Sequence, residues 1–200
     1  DAHSFWPWRL GRESTIFEIP ELSYDNIIKA IRSGSGLKAT IETPPEYGKY
    51  HWDGHRICEF SCSPGKTREL KGICPVCKKP LTIGVDNRVE EIAAFPLGHR
   101  PKNARPFHEL LPLHEVIALA EGANVDSNKT WQVYHRLIEE FSDEFNILLK
   151  VSKETIFGRG FDAKHIELIL KNREAKIKVA PGYDGEYGKA ILEETQSRLL

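Results

Sequence analysis

The sequence predicts an α+β protein, and three observations carry that prediction. The last third repeats apolar residues at three-to-four spacing, the mark of amphipathic helices. Shorter apolar runs elsewhere stop at prolines and read as strands. Between them lies a stretch punctuated by Gly and Pro, residues 47–85, that holds all four cysteines. Such a stretch needs something other than a large apolar core to order it.

Taken in order, "SYDNIIKAIRSG" is a short helix, with Ile27, Ile28 and Ile31 on one side, Ser23 as its N-cap and Gly34 past its end. "LKATIET" is a strand that ends before Pro44 and Pro45. "NRVEEIAAF" reads as a helix, and "GHRPKNARPF" as an extended connection because its prolines forbid helix around them. "LHEVIALAEG", "NKTWQVYHRLIEEF" and "DAKHIELILKNRE" are amphipathic helices, and "FNILLKV" between the last two is expected as a buried strand. "AKIKVAPGYDGEYGK" is a strand running into a glycine-rich turn. The change of pattern places a boundary near Glu109, with a metal-dependent module before it and a mainly helical one after it.

Two hundred residues, 40% hydrophobic and 28% charged, suit a soluble chain of one or two domains. The longest apolar runs, 117–120 and 147–149, are far short of a membrane span, and no charged start leads into an apolar stretch. A cytoplasmic location without membrane contact is therefore expected. A net charge of -1 gives no global electrostatic signature of a nucleic-acid binder, although basic residues outnumber acidic ones across 56–105. That tilt is permissive only.

The cysteines fall as Cys58-x3-Cys62-x11-Cys74-x2-Cys77, two close pairs separated by a short loop. Each pair on a tight turn can bring two thiolates to one tetrahedral ion, so the spacing predicts a structural zinc site. Pro75 stiffens the "CPVCK" turn. Four protein ligands leave no open position, so this zinc would hold the fold rather than do chemistry. Two alternatives remain: His55 or His51 in place of Cys62, since an x3 turn is looser than x2, or four buried thiols without metal. Asp1-Ala2-His3 has a metal-ligand spacing too, but a lone Asp-x-His is a weak signal.

Its surroundings strengthen it. "DAHSFWPWRLGRE", "EYGKYHWDGHR", "CPVCKKPLTIGVDNRVEE", "LLPLHEVIALA" and "APGYDGEYGK" together resemble, in the same order, the C-terminal half of the archaeal-type endonuclease Q family. Its members carry a PHP (polymerase and histidinol phosphatase) domain, then a zinc domain and a helical C-terminal domain. The resemblance implies that residues 1–45 are the C-terminal remnant of an irregular β/α (PHP) barrel, 46–108 a zinc-binding domain and 109–200 a mainly helical domain. It implies that Asp1 and His3 are the last ligands of a catalytic metal cluster of Zn, Mn or Mg. The other motifs of that cluster, His-x-His among them, would lie upstream, leaving this chain inactive alone.

The activity so implied is hydrolysis of DNA on the 5′ side of deaminated bases (uracil, hypoxanthine, xanthine) and of abasic sites, a repair reaction with DNA as partner. Arg9 and Arg12, close to the metal motif, would hold phosphates. Trp6 and Trp8 would wedge against bases or, as the blander reading, pack the zinc domain on the barrel. Lys49, His51, Arg56 and Arg88 surround the zinc segment and are candidate DNA contacts. In "PGYDGEYGK", Gly182, Gly185 and Gly188 would let backbone approach a ligand, with Tyr183, Tyr187 and Lys189 for stacking and charge; a tight connection explains the glycines equally well. His99, His108, His114, His135 and His165 show no ligand spacing. Some family members end in a sliding-clamp motif. Here "ETQSRLL" keeps Gln196 and Leu199 without the aromatic pair, so a sliding-clamp contact is not expected of this stretch unless the motif has been truncated. Two rivals use the same residues differently: a PHP phosphoesterase acting on a small phosphorylated molecule, and a non-catalytic zinc-dependent nucleic-acid-binding module.

Overall fold

The computed structural model describes residues 5–192. In chain order the elements are β1 (Ser14–Phe17), α1 (Tyr24–Ser33), β2 (Leu37–Glu42), β3 (Asp53–His55), β4 (Phe60–Cys62), α2 (Pro64–Glu69) and α3 (Val85–Ile92). Then follow β5 (Phe107–Glu109), α4 (Leu113–Glu121), α5 (Asn128–Phe141), α6 (Glu144–Leu149), α7 (Lys153–Gly158), α8 (Ala163–Arg173), β6 (Lys178–Ala180) and β7 (Lys189–Ile191). They gather into two compact units. One takes the chain through Thr43 together with Asn103–Ile177; the other takes Pro44–Lys102 and the chain from Lys178 on.

The first unit joins a small sheet to a helical layer. β2 pairs antiparallel with β1 and parallel with β5, giving the order β1-β2-β5. Ser23 caps α1 by accepting from the Asn26 N–H, and Gly34 ends it in the left-handed region at φ 75°, where glycine escapes a Cβ clash. α4, α5, α6 and α8 bury Leu113, Ile117, Leu137, Ile147, Leu148 and Ile169 almost completely. Two buried polar groups tie the layer together. The Asn172 side chain donates to Leu111 O and accepts from Leu111 N–H, both at 2.9 Å, so its amide is satisfied without water. Arg173 donates to the carbonyls of Ile147, Leu148 and Val151, closing the open C-terminal end of α6.

Two expectations differ from this. "FNILLKV" is the helix α6 rather than a strand: Asp143 caps it through the Asn146 N–H, and Ile147 and Leu148 are buried as consecutive helical residues. A run this short has no period to separate the two states. The compact units also cut the chain differently from three consecutive domains. The segment before Thr43 shares a sheet with β5, and the segment from Lys178 packs with Pro44–Lys102. No helix among the described residues is long and apolar enough to cross a membrane.

The second unit is built from short pieces. β3 and β4 form a hairpin with Asp53 opposite Cys62 and His55 opposite Phe60. Ile73 bridges Pro80, and Leu81 N–H donates to Gly72 O, which closes a second small hairpin around Cys74 and Cys77. The two hairpins join where Gly54 and Thr82 exchange backbone hydrogen bonds at 3.0 and 2.8 Å. β6 and β7 make a third ladder, carrying the glycine-rich turn between them.

Candidate metal centre

The β3–β4 hairpin turn is a 3-10 turn over Arg56–Cys58, ended by Glu59 in the left-handed region at φ 48°. Its counterpart around Cys74 and Cys77 ends the same way at Lys78, φ 62°, with Lys78 N–H donating to Cys74 O. Each turn thus presents two ligand-type side chains on one side. His55, Cys58, Cys74 and Cys77 converge, all four donor atoms lying within 4.8 Å of one another. His55 Nδ1 stands 3.1 Å from Cys58 Sγ and 3.2 Å from Cys77 Sγ.

The charge states show why a cation belongs here. Burial works against a Cys74 thiolate, but backbone N–H groups of Cys77 and Val76, with His55, outweigh it and bring Cys74 down to about 6. Burial and the neighbouring sulfurs of Cys77 and Cys74 hold the Cys58 thiol up at about 11. Thiols this close resist ionising together unless a positive ion offsets them. Three sulfurs and one imidazole make a closed set of the structural zinc type, so the donors fit that metal and leave no open position for chemistry.

The site departs from the expected four cysteines in one member. Cys62 lies in β4 with its side chain buried, and its Sγ meets Thr67 Oγ1 at 3.3 Å, outside the donor group. Distance along the hairpin is the reason: Cys62 pairs with Asp53 at the far end of the ladder, whereas His55 pairs with Phe60 next to the turn that carries Cys58. His51 also stands apart; its carbonyl accepts from the Asp86 N–H. The signal that names His55 is in the sequence. His55-x2-Cys58 repeats the spacing of Cys74-x2-Cys77, whereas Cys58-x3-Cys62 does not.

Around the metal turns the chain locks itself by close approaches. Asp53, fully buried, accepts from Gly84 N–H at 2.6 Å and from Asn87 Nδ2 at 2.5 Å, which anchors the start of α3. Asp184 accepts from Arg56 N–H and Thr82 Oγ1, both at 2.7 Å; despite its burial these bonds hold its carboxyl below the usual range. The glycines of "PGYDGEYGK" are explained here. A Cβ at Gly182 would stand 2.3 Å from Gly48 O, and one at Gly188 would stand 2.2 Å from Glu46 O. They admit the chain's own backbone. Tyr183 likewise lies flat on Gly54, where a Cβ would meet its ring at 2.4 Å.

The predicted DNA contacts scatter. Arg56, Tyr183, Tyr187 and Lys189 line one open cleft of about 450 Å³ in the second unit, and Lys49 Nζ sits 4.7 Å over the Tyr187 ring. Arg88 is exposed on α3 and pairs with Glu91 at 2.6 Å. In the first unit Arg12 is ion-paired with Glu144, both largely buried. Trp8 differs from the expectation of a base-stacking residue: it is buried against His114 and Trp131, so its ring packs within the helical unit. Trp6 stacks on Trp8. Arg9 follows in the same 3-10 turn, Pro7–Arg9. Asp1, His3, Gln196 and Leu199 lie outside the described residues.

Two histidines are more than surface. His114 is fully buried in an aromatic cage of Trp8, Trp131 and Tyr134. His165 meets Glu121 Oε1 at 2.5 Å, and Asp162 completes a second converging group. Lys129 and Lys164 already reach the Glu121 carboxylate at 2.6 and 2.8 Å, so lysine ammonium groups supply the positive charge there.

Two hairpins that bring a Cys3His donor set together define a small candidate metal-binding module joined in one chain to a helical unit. Comparison with known proteins narrows that class. The crystal structure of the lesion-specific endonuclease PfuEndoQ from Pyrococcus furiosus matches 99% of this chain at 30% identity and a TM-score of 0.83. An endonuclease Q complexed with a 27-mer duplex carrying an abasic lesion matches 96% at 31% identity and 0.80. Uncharacterized protein MJ0043 of Methanocaldococcus jannaschii is 30% identical over 194 residues, and the MJ0043 C-terminal domain family matches residues 112–176. The chain is endonuclease Q-like. It spans 49% of each solved chain and 24% of the Methanocaldococcus protein.

Proposed function

We propose that this chain is the second half of a lesion-specific DNA endonuclease that nicks 5′ of deaminated bases (uracil, hypoxanthine, xanthine) and abasic sites. The observation that carries the reading is the likeness to PfuEndoQ, 30% identical over 99% of the chain at a TM-score of 0.83. In this reading His55, Cys58, Cys74 and Cys77 hold a structural zinc that orders the second unit. Asp1 and His3 would complete a catalytic cluster of Zn, Mn or Mg whose other ligands lie in a PHP half upstream. Such a cluster supplies hydroxide near neutral pH and offsets charge on the phosphorane-like transition state.

The DNA surface lies where the basic and aromatic residues remain open: Arg56, Tyr183, Tyr187 and Lys189 along the cleft, with Lys49 and Arg88 as outlying phosphate contacts. The test uses the parent protein with its upstream half, on duplexes bearing uracil, hypoxanthine or an abasic site against undamaged duplex. Nicking confined to the damaged strands is expected, and Asp1→Asn should abolish it while binding persists. Equal cleavage of undamaged DNA, or release of phosphate from small phosphate esters alone, would overturn the reading.

A further inference from the structure

The two metal-binding turns carry a pair of side chains that neither the core nor the metal explains. In each turn the residue before the second ligand is apolar and exposed: Ile57 is 87% and Val76 65% accessible. Their neighbours Cys58 and Cys77 hold donor atoms within 4.8 Å of each other, so an ion bound there would tie together the two turns that carry Ile57 and Val76. Burial does not require them, because the apolar cluster of this unit is Cys62, Cys74 and Leu81 with Phe60 and Leu70 packed on it. In the second turn the Cys74 sulfur is served by the backbone N–H groups of Val76 and Cys77, which any side chain at Val76 would leave in place.

Single exposed apolar side chains are ordinary surface. Two at equivalent positions of turns that one ion would tie together offer a paired apolar tip. Cations outnumber carboxylates beside it: exposed Arg56, paired with Glu186 at 3.7 Å, precedes Ile57, exposed Glu59 follows Cys58, and exposed Lys78 and Lys79 follow the second turn. Lys78 Nζ donates to Pro75 O at 2.8 Å, which lays that side chain along its turn. An apolar point inside a basic rim complements a duplex, whose phosphates meet the cations while a base step admits the point.

We propose that Ile57 and Val76 form a wedge that enters a weakened base step of duplex DNA, with Arg56, Lys78 and Lys79 on the flanking phosphates. The inference rests on DNA being the partner, as in the function proposed above. The zinc then has a second consequence: it fixes the spacing and stiffness of the wedge, so that opening the step does not cost ordering of the tip. A step beside a damaged or missing base opens at the least cost.

The test uses the zinc-loaded chain and a duplex with an abasic site and 2-aminopurine beside it. The double variant Ile57→Ser/Val76→Ser should keep its zinc and melting temperature, bind at least about tenfold more weakly, and lose the 2-aminopurine fluorescence rise. The variant Lys78→Ala/Lys79→Ala should keep that rise but reduce the slope of log affinity against log salt by about 1.8. Unchanged affinity and fluorescence in the serine variant overturn the wedge while leaving DNA as partner. No binding by the wild-type chain even at low salt overturns both readings. Loss of self-association in the serine variant, with DNA binding unaltered, overturns the wedge in favour of a contact between copies.

Discussion

The two units of this chain reach order by opposite means. The helical unit seats large aliphatic side chains, Leu137, Ile147 and Ile169 among them, at essentially zero exposure, and ties buried backbone groups through Asn172 and Arg173, while both ring nitrogens of His114 go without a hydrogen-bond partner. The metal unit buries Cys62, Cys74 and Leu81 as a small apolar cluster, with Tyr47 buried besides, and leaves Ile57, Val76, Ile83 and the α3 residues Val85, Val89 and Ile92 exposed. Burial at about 25 cal/mol per Å² can order the first unit. It cannot order the second, whose pieces are strands of three residues, turns and the short helices α2 and α3. There metal–ligand bonds at His55, Cys58, Cys74 and Cys77 would replace the core and free apolar side chains for the surface.

The largest effect follows from that difference. Cys74→Ser should abolish the metal site and unfold the second unit, because structural zinc binding is worth roughly 10–16 kcal/mol at neutral pH. Elemental analysis would show zinc falling from one equivalent to none. Far-UV circular dichroism would retain most of the helix signal, which comes from α4, α5 and α8. A single melting transition lost as a whole would instead mean that the units do not hold themselves independently. The mirror experiment is Leu137→Ala, expected to cost about 2–5 kcal/mol in the helical unit while zinc content stays at one equivalent.

Acid separates the units further. His114 is pushed down to about 4 by burial, then by the charges of Arg12 and His135. Its depressed value means the unfolded chain takes up the proton first. Stability is therefore intact above the unfolded value near 6.5 and is lost as pH falls from there to about 4, with a slope of at most about 1.4 kcal/mol per pH unit. Glu121 acts lower. Lys129 and Lys164 outweigh burial and, with His165, draw it down to about 2, so its contribution is present above about 4.5 and lost between there and about 2. His114→Phe should remove the upper window and Glu121→Gln the lower one, each read by thermal melting across pH. An unaltered profile in His114→Phe would show that this imidazole does not set the acid limit.

Much of the helical unit was legible in the sequence because its signals are local. Ser23 and Gly34 bracket α1, and the apolar stripes of α4, α5 and α8 repeat often enough to set a period. The "FNILLKV" segment was not legible, since seven residues carry no period and its helix depends on Asp143 and on packing against α8. In the metal unit Cys74 and Cys77 announce themselves, but Gly182 and Gly188 answer to Gly48 O and Glu46 O, more than a hundred residues away. No local pattern records such an approach. Trp8 illustrates the same limit: residue type suggests a stacking surface, and only the cage around His114 shows that the ring is already used.

The finest test of the comparison is also the mildest substitution. Cys62 has every appearance of a ligand in sequence, yet its Sγ contacts Thr67 Oγ1 in the small apolar cluster and stays outside the donor group. Cys62→Ser should therefore keep a full equivalent of zinc and lower stability by only about 1–2 kcal/mol, the cost of a hydroxyl in an apolar niche that Thr67 can partly satisfy. His55→Ala should behave like Cys74→Ser and lose the metal. Were the ligands the four cysteines, the two outcomes would exchange places: Cys62→Ser would empty the site and His55→Ala would leave it filled. One pair of metal analyses thus decides whether the repeated x2 spacing or the count of cysteines describes how this unit is held.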